Sequence, residues 1–152
     1  MLIKDCLLEG ILANKLDTYR TNKDLILYSV EPLLFIRNED TADISYWKLD
    51  WIEDNQEDIL LLKEQNTPDP IEFSLIDDPH YKHVIKGSRF SVDHKFIKKV
   101  SGYGYKSSKT ETLTSIILEL EDLYIYAKTG AVIEIRITSE KPSELGEIIF
   151  TT

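Results

Sequence analysis

Apolar residues alternate with polar ones through most of the C-terminal third of the chain, the pattern of strands that bury one face. Three successive segments show it, over residues 113–120, 123–128 and 131–138. Only short breaks separate them, so they predict a β-meander, in which consecutive antiparallel strands are neighbours in one sheet. A last short strand is predicted at residues 147–151, after a break rich in turn-forming residues.

The breaks between these segments set the predicted register. A two-residue turn at residues 121–122 places Leu118 opposite Ile125, and a three-residue loop at residues 128–130 then places Ile125 opposite Ile133. A shift by one residue would move every side chain to the other face of the sheet, and we reject it for that reason. We therefore expect one face of the meander to lie in the core.

The opposite face of the meander carries tyrosines among charged residues. Tyr124 and Tyr126 share that face with Glu119, Glu134 and Arg136. Amphipathic aromatic side chains inside a charged rim are typical of protein interfaces. The alternative is that a helix or a second sheet covers this face, or that it is simply half-exposed.

Shorter apolar runs predict further strands in the N-terminal half. Residues 24–30 and 33–37 form two of them, and residues 44–52 place Trp47 and Trp51 on one face of a third. Alternating tryptophans of this kind are typical of a core, and lining an apolar ligand pocket is the alternative.

The predicted fold class is mostly β. Residues 2–16 fit a short helix or irregular start followed by a strand, but helix signals are otherwise scarce, because the chain has four alanines and is rich in isoleucine and tyrosine. We predict a single domain over residues 1–152, a barrel or curved sandwich of roughly eight to ten antiparallel strands with a C-terminal meander and room for one short helix. An α+β fold is the alternative.

The length of the chain and its single cysteine indicate the number of domains and the cellular compartment. A chain of 152 residues suits one domain, and it has no run of 18 apolar residues, so we expect no transmembrane helix and no membrane partner. The first ten residues lack the features of a signal peptide. Cys6 is the one cysteine, which excludes an internal disulfide, and we expect a buried structural thiol in a cytoplasmic protein.

Charge is distributed unevenly along the chain. The net charge is -9, which disfavours nucleic acid as a partner, because its phosphates would be repelled. Eight acids and one lysine lie between positions 39 and 58, whereas eight bases and one acid lie between positions 82 and 109. These stretches are either two solvated faces or two faces that attract each other within the fold. The functional alternatives are an acidic face that steers a basic protein partner and, against the net charge, a nucleic-acid groove at residues 82–109. The residues expected to carry that steering are Asp50, Glu53, Asp54 and Glu57.

All three histidines lie in one stretch, and His80, His83 and His94 are the candidate metal ligands. Asp77 and Asp93 flank them, and imidazole with carboxylate is a good ligand set for zinc, nickel or iron. The spacing of His80 and His83 reaches one ion from a helical turn, but in a strand the two side chains point to opposite faces. Neighbouring basic residues would oppose a cation, and a polar surface loop is the alternative.

Residues 101–109 hold glycines, tyrosines, serines and lysines. They lack the Gly-Lys-Ser/Thr sequence and the strand–loop–helix context of a phosphate-binding loop. We predict a flexible loop between two strands, with a tyrosine-bearing binding loop as the alternative.

Two functional hypotheses follow from these patterns. The first is a non-enzymatic intracellular protein-binding module, of the inhibitor or immunity type, in which the acidic stretch steers a basic partner and Tyr124 and Tyr126 anchor it. The second is a metal-binding protein or metal-dependent enzyme built on His80, His83 and His94. No other catalytic constellation stands out, and the first hypothesis implies no cofactor.

Overall fold

The protein folds as two antiparallel β-sheets and one small hairpin. The structure, a computed structural model, describes residues 3–54, 57–75, 83–143 and 145–152, and for Val84, Asp93 and His94 it describes the backbone alone. No helix occurs in these ranges, which bears out a mostly β fold. The strands are, in chain order, β1 (Leu7–Ala13), β2 (Asp17–Arg20), β3 (Leu25–Ser29), β4 (Leu33–Arg37), β5 (Ile44–Asp54), β6 (Glu57–Gln65), β7 (Phe73–Leu75), β8 (His83–Ile85), β9 (Ser88–Phe96), β10 (Lys99–Lys106), β11 (Glu111–Glu119), β12 (Tyr124–Lys128), β13 (Ile133–Thr138) and β14 (Glu147–Thr151).

The two sheets pack face to face as a sandwich and do not close into a barrel. The five-stranded sheet has the order β6-β5-β4-β1-β9, and the seven-stranded sheet has the order β14-β10-β11-β12-β13-β3-β2. Their inner faces share one apolar core, to which Trp47, Leu49 and Trp51 contribute from β5, as predicted. Strand β6 lies against β11, which brings the β5–β6 hairpin over the meander.

A second, smaller core covers the outer face of the five-stranded sheet. It contains Leu12, Phe35, Tyr46 and Ile71, with Ile85 of the β7–β8 hairpin packed against them. Alternation along β5 explains this division, because Tyr46 points away from the face that carries Trp47. The five-stranded sheet is therefore covered on both sides in this region.

The meander confirms one predicted register and corrects the other. Leu118 pairs with Ile125 across β11 and β12, as expected from the two-residue turn. Ile125 pairs with Ile137, and not with the predicted Ile133, because the connection between β12 and β13 is longer than three residues. The difference of four positions is even, so each side chain keeps the face that the alternation assigned to it.

One further expectation needs correction. Residues 101–109 are not a flexible loop for most of their length, because β10 is an internal strand of the seven-stranded sheet, between β14 and β11, and buries Tyr103. The N-terminal segment has an irregular start over its described residues followed by strand β1, which is one of the two predicted alternatives, and the short helix does not form there. No described helix is long and apolar enough to cross a membrane.

Candidate functional site

Two pairs of carboxylates lie opposite each other at the end of the β5–β6 hairpin. Glu53 pairs with Asp58 and Asp54 pairs with Glu57 across the two strands, and all four side chains are exposed. Like charges directly opposite each other destabilise a hairpin. We call these four residues the hairpin tip. They concentrate negative charge there, and their mutual repulsion lowers the stability of the hairpin.

Asp50 lies apart from the hairpin tip. Its side chain is half-buried, and its Oδ1 accepts a hydrogen bond from the backbone N–H of Trp51 at 2.8 Å. Of the four predicted steering residues, Glu53, Asp54 and Glu57 belong to the tip, whereas Asp50 lies further along β5. The sequence interpretation did not select Asp58, although Asp58 completes the cluster.

A groove of about 480 Å³ separates the hairpin tip from the meander. Glu57 and Asp58 line one side, and Tyr126 and Lys128 of β12 line the other. Tyr105 of β10 also lines it and is 61% exposed. The structure thus brings together the acidic stretch and the tyrosine face, which lie far apart in the sequence. We call this concavity the acidic–aromatic groove.

A second concavity of about 410 Å³ continues from the same tyrosine, because Tyr126 and Lys128 line both. Several polar residues in and around it are paired with one another. Arg136 Nη1 donates to Asp24 Oδ2 at 3.0 Å, and the Tyr28 hydroxyl donates to Glu134 Oε1 at 3.2 Å. Desolvation and the Glu134 carboxylate raise the pKa of Tyr28, so this hydroxyl remains a neutral donor. The pairs hold these polar groups in fixed positions beside Tyr126.

The two predicted tyrosines differ in position. Tyr126 lines both concavities, whereas Tyr124 lines neither of them, although both side chains are half-buried on the same strand. Tyr105 is the aromatic residue that the sequence interpretation left out of the site. Its strand was predicted as a loop, and that hid the alternation that places Tyr105 beside the meander.

Of the three predicted metal-ligating histidines, the structure describes the side chain of His83 alone. His80 and Asp77 lie outside the described residues, and for Asp93 and His94 only the backbone in β9 is described. Among the described side chains, no group of three or more histidine, cysteine or acidic residues could hold a metal ion. The metal hypothesis therefore stays a prediction from the sequence.

His83 is a partner of Tyr46 in the smaller core. The Tyr46 hydroxyl lies 2.9 Å from His83 Nδ1, and the His83 ring packs edge-on against Phe73. Tyr46 is 1% exposed, and burial raises the pKa of its hydroxyl to about 12, against the opposing effect of Arg89 and Arg37. This tyrosine is therefore neutral through the physiological range and holds the β7–β8 hairpin against β5.

This arrangement predicts a loss of stability at alkaline pH. The pKa of Tyr46 lies above its unfolded value, so its contribution is complete below about pH 10 and is lost as the pH rises through about 12. Tyr46→Phe is expected to cost about 1 kcal/mol at neutral pH, since one hydrogen bond is removed. The free energy of unfolding, measured in urea at increasing pH, should fall less steeply for Tyr46→Phe than for the wild type. Parallel curves would contradict this role.

Neither protein-family models, nor curated proteins, nor solved structures give a match to this chain. The geometry of the grooves is therefore the basis for the functional proposal.

Proposed function

We propose that this protein is a binding module for a basic protein partner, of the inhibitor or immunity type, acting without a cofactor. The hairpin tip steers the partner electrostatically, and Tyr126 and Tyr105 anchor it in the acidic–aromatic groove. The observation that carries the proposal is one concavity lined by two carboxylates of the hairpin tip, Glu57 and Asp58, and by Tyr105 and Tyr126. The other two carboxylates of the tip pair with these across the hairpin. Steering charge beside an aromatic anchor is the arrangement that fast, specific protein association uses.

The electrostatic repulsion within the hairpin tip, which lowers the stability of the hairpin, supports this proposal. Two like-charged pairs in direct register, Glu53 with Asp58 and Asp54 with Glu57, weaken the hairpin that carries them. A surface selected for stability alone would place opposite charges at these positions. A partner with lysine or arginine side chains at the tip would relieve the repulsion on binding.

The compartment is part of the proposal. A single cysteine, Cys6, is buried, and the pKa of its thiol is raised by burial and by the neighbouring Asp5 and Glu64 carboxylates. A raised thiol pKa makes the sulfur a poor nucleophile, which agrees with a structural role. We place the protein in the cytoplasm, where such a thiol stays reduced.

The proposal is tested by capture of partners from the protein's own cells with matched variants. The hairpin variant neutralises the hairpin tip through Glu53→Gln, Asp54→Asn, Glu57→Gln and Asp58→Asn. The control variant removes the same net charge at four exposed acids away from the grooves, through Glu39→Gln, Asp40→Asn, Glu111→Gln and Glu121→Gln.

We expect a basic protein to be recovered with the wild type and with the control variant, and to be lost with the hairpin variant. The hairpin variant should also unfold at a denaturant concentration no lower than the wild type, because it loses two repulsive pairs. Equal recovery with the hairpin variant, equal loss with both variants, or recovery of no basic protein at all would contradict the proposal.

A further inference from the structure

A cavity of about 620 Å³ lies at the opposite end of the β5–β6 hairpin from the acidic–aromatic groove. The cavity lies where β4 ends and β5 begins. Its lining includes Asp43, Ile44 and Trp47 from this region and Glu64 near the end of β6. Glu64 is six residues beyond Asp58 on the same strand, a distance of roughly 20 Å at the rise of a β-strand. The cavity is therefore separate from the groove, and its volume is that of a small-molecule site.

The floor of the cavity is apolar and aromatic. Ile3, Cys6 and Ile36 are buried beneath it, and the partly exposed Trp47 lies beside them. Trp47 Nε1 is buried and has no hydrogen-bond partner among the described residues, so the floor also offers one hydrogen-bond donor. Tryptophan is the aromatic residue whose ring attracts cations most strongly. The floor thus offers apolar contact together with a surface that favours positive charge.

The rim of the cavity is negative. Asp43 and Glu64 are exposed carboxylates, and none of the described lining residues is a lysine or an arginine. The remaining polar lining, which includes Asn38 and Asn66, is uncharged apart from His83. The negative field reaches the cavity floor, since the Glu64 carboxylate contributes to the raised pKa of the Cys6 thiol.

We propose that this cavity binds a small alkylammonium ligand, whose alkyl part packs on Trp47 and Ile44 and whose ammonium group lies at the negative rim that carries Asp43 and Glu64. A bare metal ion fits less well, because no metal-binding group of three or more ligands occurs among the described side chains. The proposal does not depend on the protein-binding function, because none of the residues of the hairpin tip lines this cavity.

The test is an NMR titration of the whole protein that follows the indole N–H signal of Trp47. The chain has two tryptophans, so a Trp51→Phe variant assigns the two signals. The probes are n-butylammonium chloride, n-butanol and sodium butyrate, at one constant ionic strength. We expect a saturable shift of the Trp47 signal with butylammonium and a much smaller shift with the neutral and anionic probes.

Two matched variants separate the cavity from the general charge of the protein. Asp43→Asn with Glu64→Gln removes the rim, whereas Asp58→Asn with Glu57→Gln removes the same charge at the other end of the hairpin. We expect the rim variant to weaken butylammonium binding by about five- to tenfold, as for two partly solvated charges. The tip variant should bind as the wild type does, even if the proposed partner binding fails.

Three results would overturn the proposal. They are an absence of any saturable shift of the Trp47 signal with butylammonium, an equal response to butanol, and an equal weakening in the rim and tip variants. Both carboxylates of the rim are exposed, so the remainder of the spectrum should show that the rim variant is folded.

Discussion

Replacing Arg37 by methionine is expected to lower the free energy of unfolding by about 3–5 kcal/mol, the usual cost of breaking a buried ion pair. Arg37 Nε lies 2.8 Å from Glu9 Oε1, and the Glu9 side chain is 1% exposed. Glu9 is the extra residue of a β-bulge in β1, between the positions that pair with Ile36 and Phe35. The bulge fixes the direction of this carboxylate, so the side chain cannot move readily to solvent when the Arg37 guanidinium is removed.

Urea unfolding of three variants measures the effect. The matched control is the double variant Glu9→Met with Arg37→Met, which removes both charges and is expected to regain most of the lost stability, because no charge is then left buried. Arg136→Met breaks a more exposed ion pair, with Asp24, and should cost about 1 kcal/mol or less. Equal losses for Arg37→Met and Arg136→Met would show that burial does not set the strength of the Glu9 pair.

Tyr126→Ala is expected to weaken binding of the proposed partner by about 30-fold or more, which corresponds to the loss of an interface hot spot of about 2 kcal/mol. Tyr126 lies between the two concavities and lines both. Removing its ring should therefore disrupt contacts on either side. Because the lost contacts act in the bound complex, the change should appear mainly as faster dissociation.

Tyr124→Ala is the natural comparison for this prediction. It removes the same side chain from the same face of β12, two residues away, where it lines neither concavity. We expect it to change the affinity by less than about threefold, measured by surface binding kinetics with the captured partner. If the two alanine variants weakened binding equally, the tyrosine face and not the groove would be the contact surface.

The sequence could predict those parts of the fold in which the local pattern is compatible with only one strand register. The β11–β12 hairpin is such a case, since a two-residue turn and the alternation around Leu118 and Ile125 agree on one register. The β12–β13 register is the opposite case. Shifts of an even number of residues preserve the two faces, so alternation alone does not distinguish the observed pairing of Ile125 with Ile137 from the predicted one.

Strand β10 escaped prediction because of its glycines. Gly102 and Gly104 indicate a loop in most sequences, but here they mark close approaches within the sheet. A Cβ atom on Gly104 would collide with the carbonyl group of Thr112, beside a bulge in the β10–β11 pairing. The same residues that weaken the strand pattern are therefore the ones that the packing requires.

The sequence predicted the acidic residues and the tyrosine of the candidate site separately, but it did not predict that they lie close together in the fold. Charge counting found Glu53, Asp54 and Glu57, and alternation found Tyr126. The groove that Glu57 shares with Tyr126 depends on β6 of one sheet lying against β11 of the other, a contact that no local pattern encodes. Tyr105 was missed because its strand, β10, was predicted as a loop.

The central claim is that the hairpin tip steers a basic partner to the acidic–aromatic groove. Its most direct test is the association rate constant of the captured partner at increasing salt, for the wild type, the hairpin variant and the control variant. The account predicts that the hairpin variant associates about tenfold more slowly at low salt and responds less to salt, whereas the control variant stays close to the wild type. An unchanged association rate constant in the hairpin variant would contradict the claim.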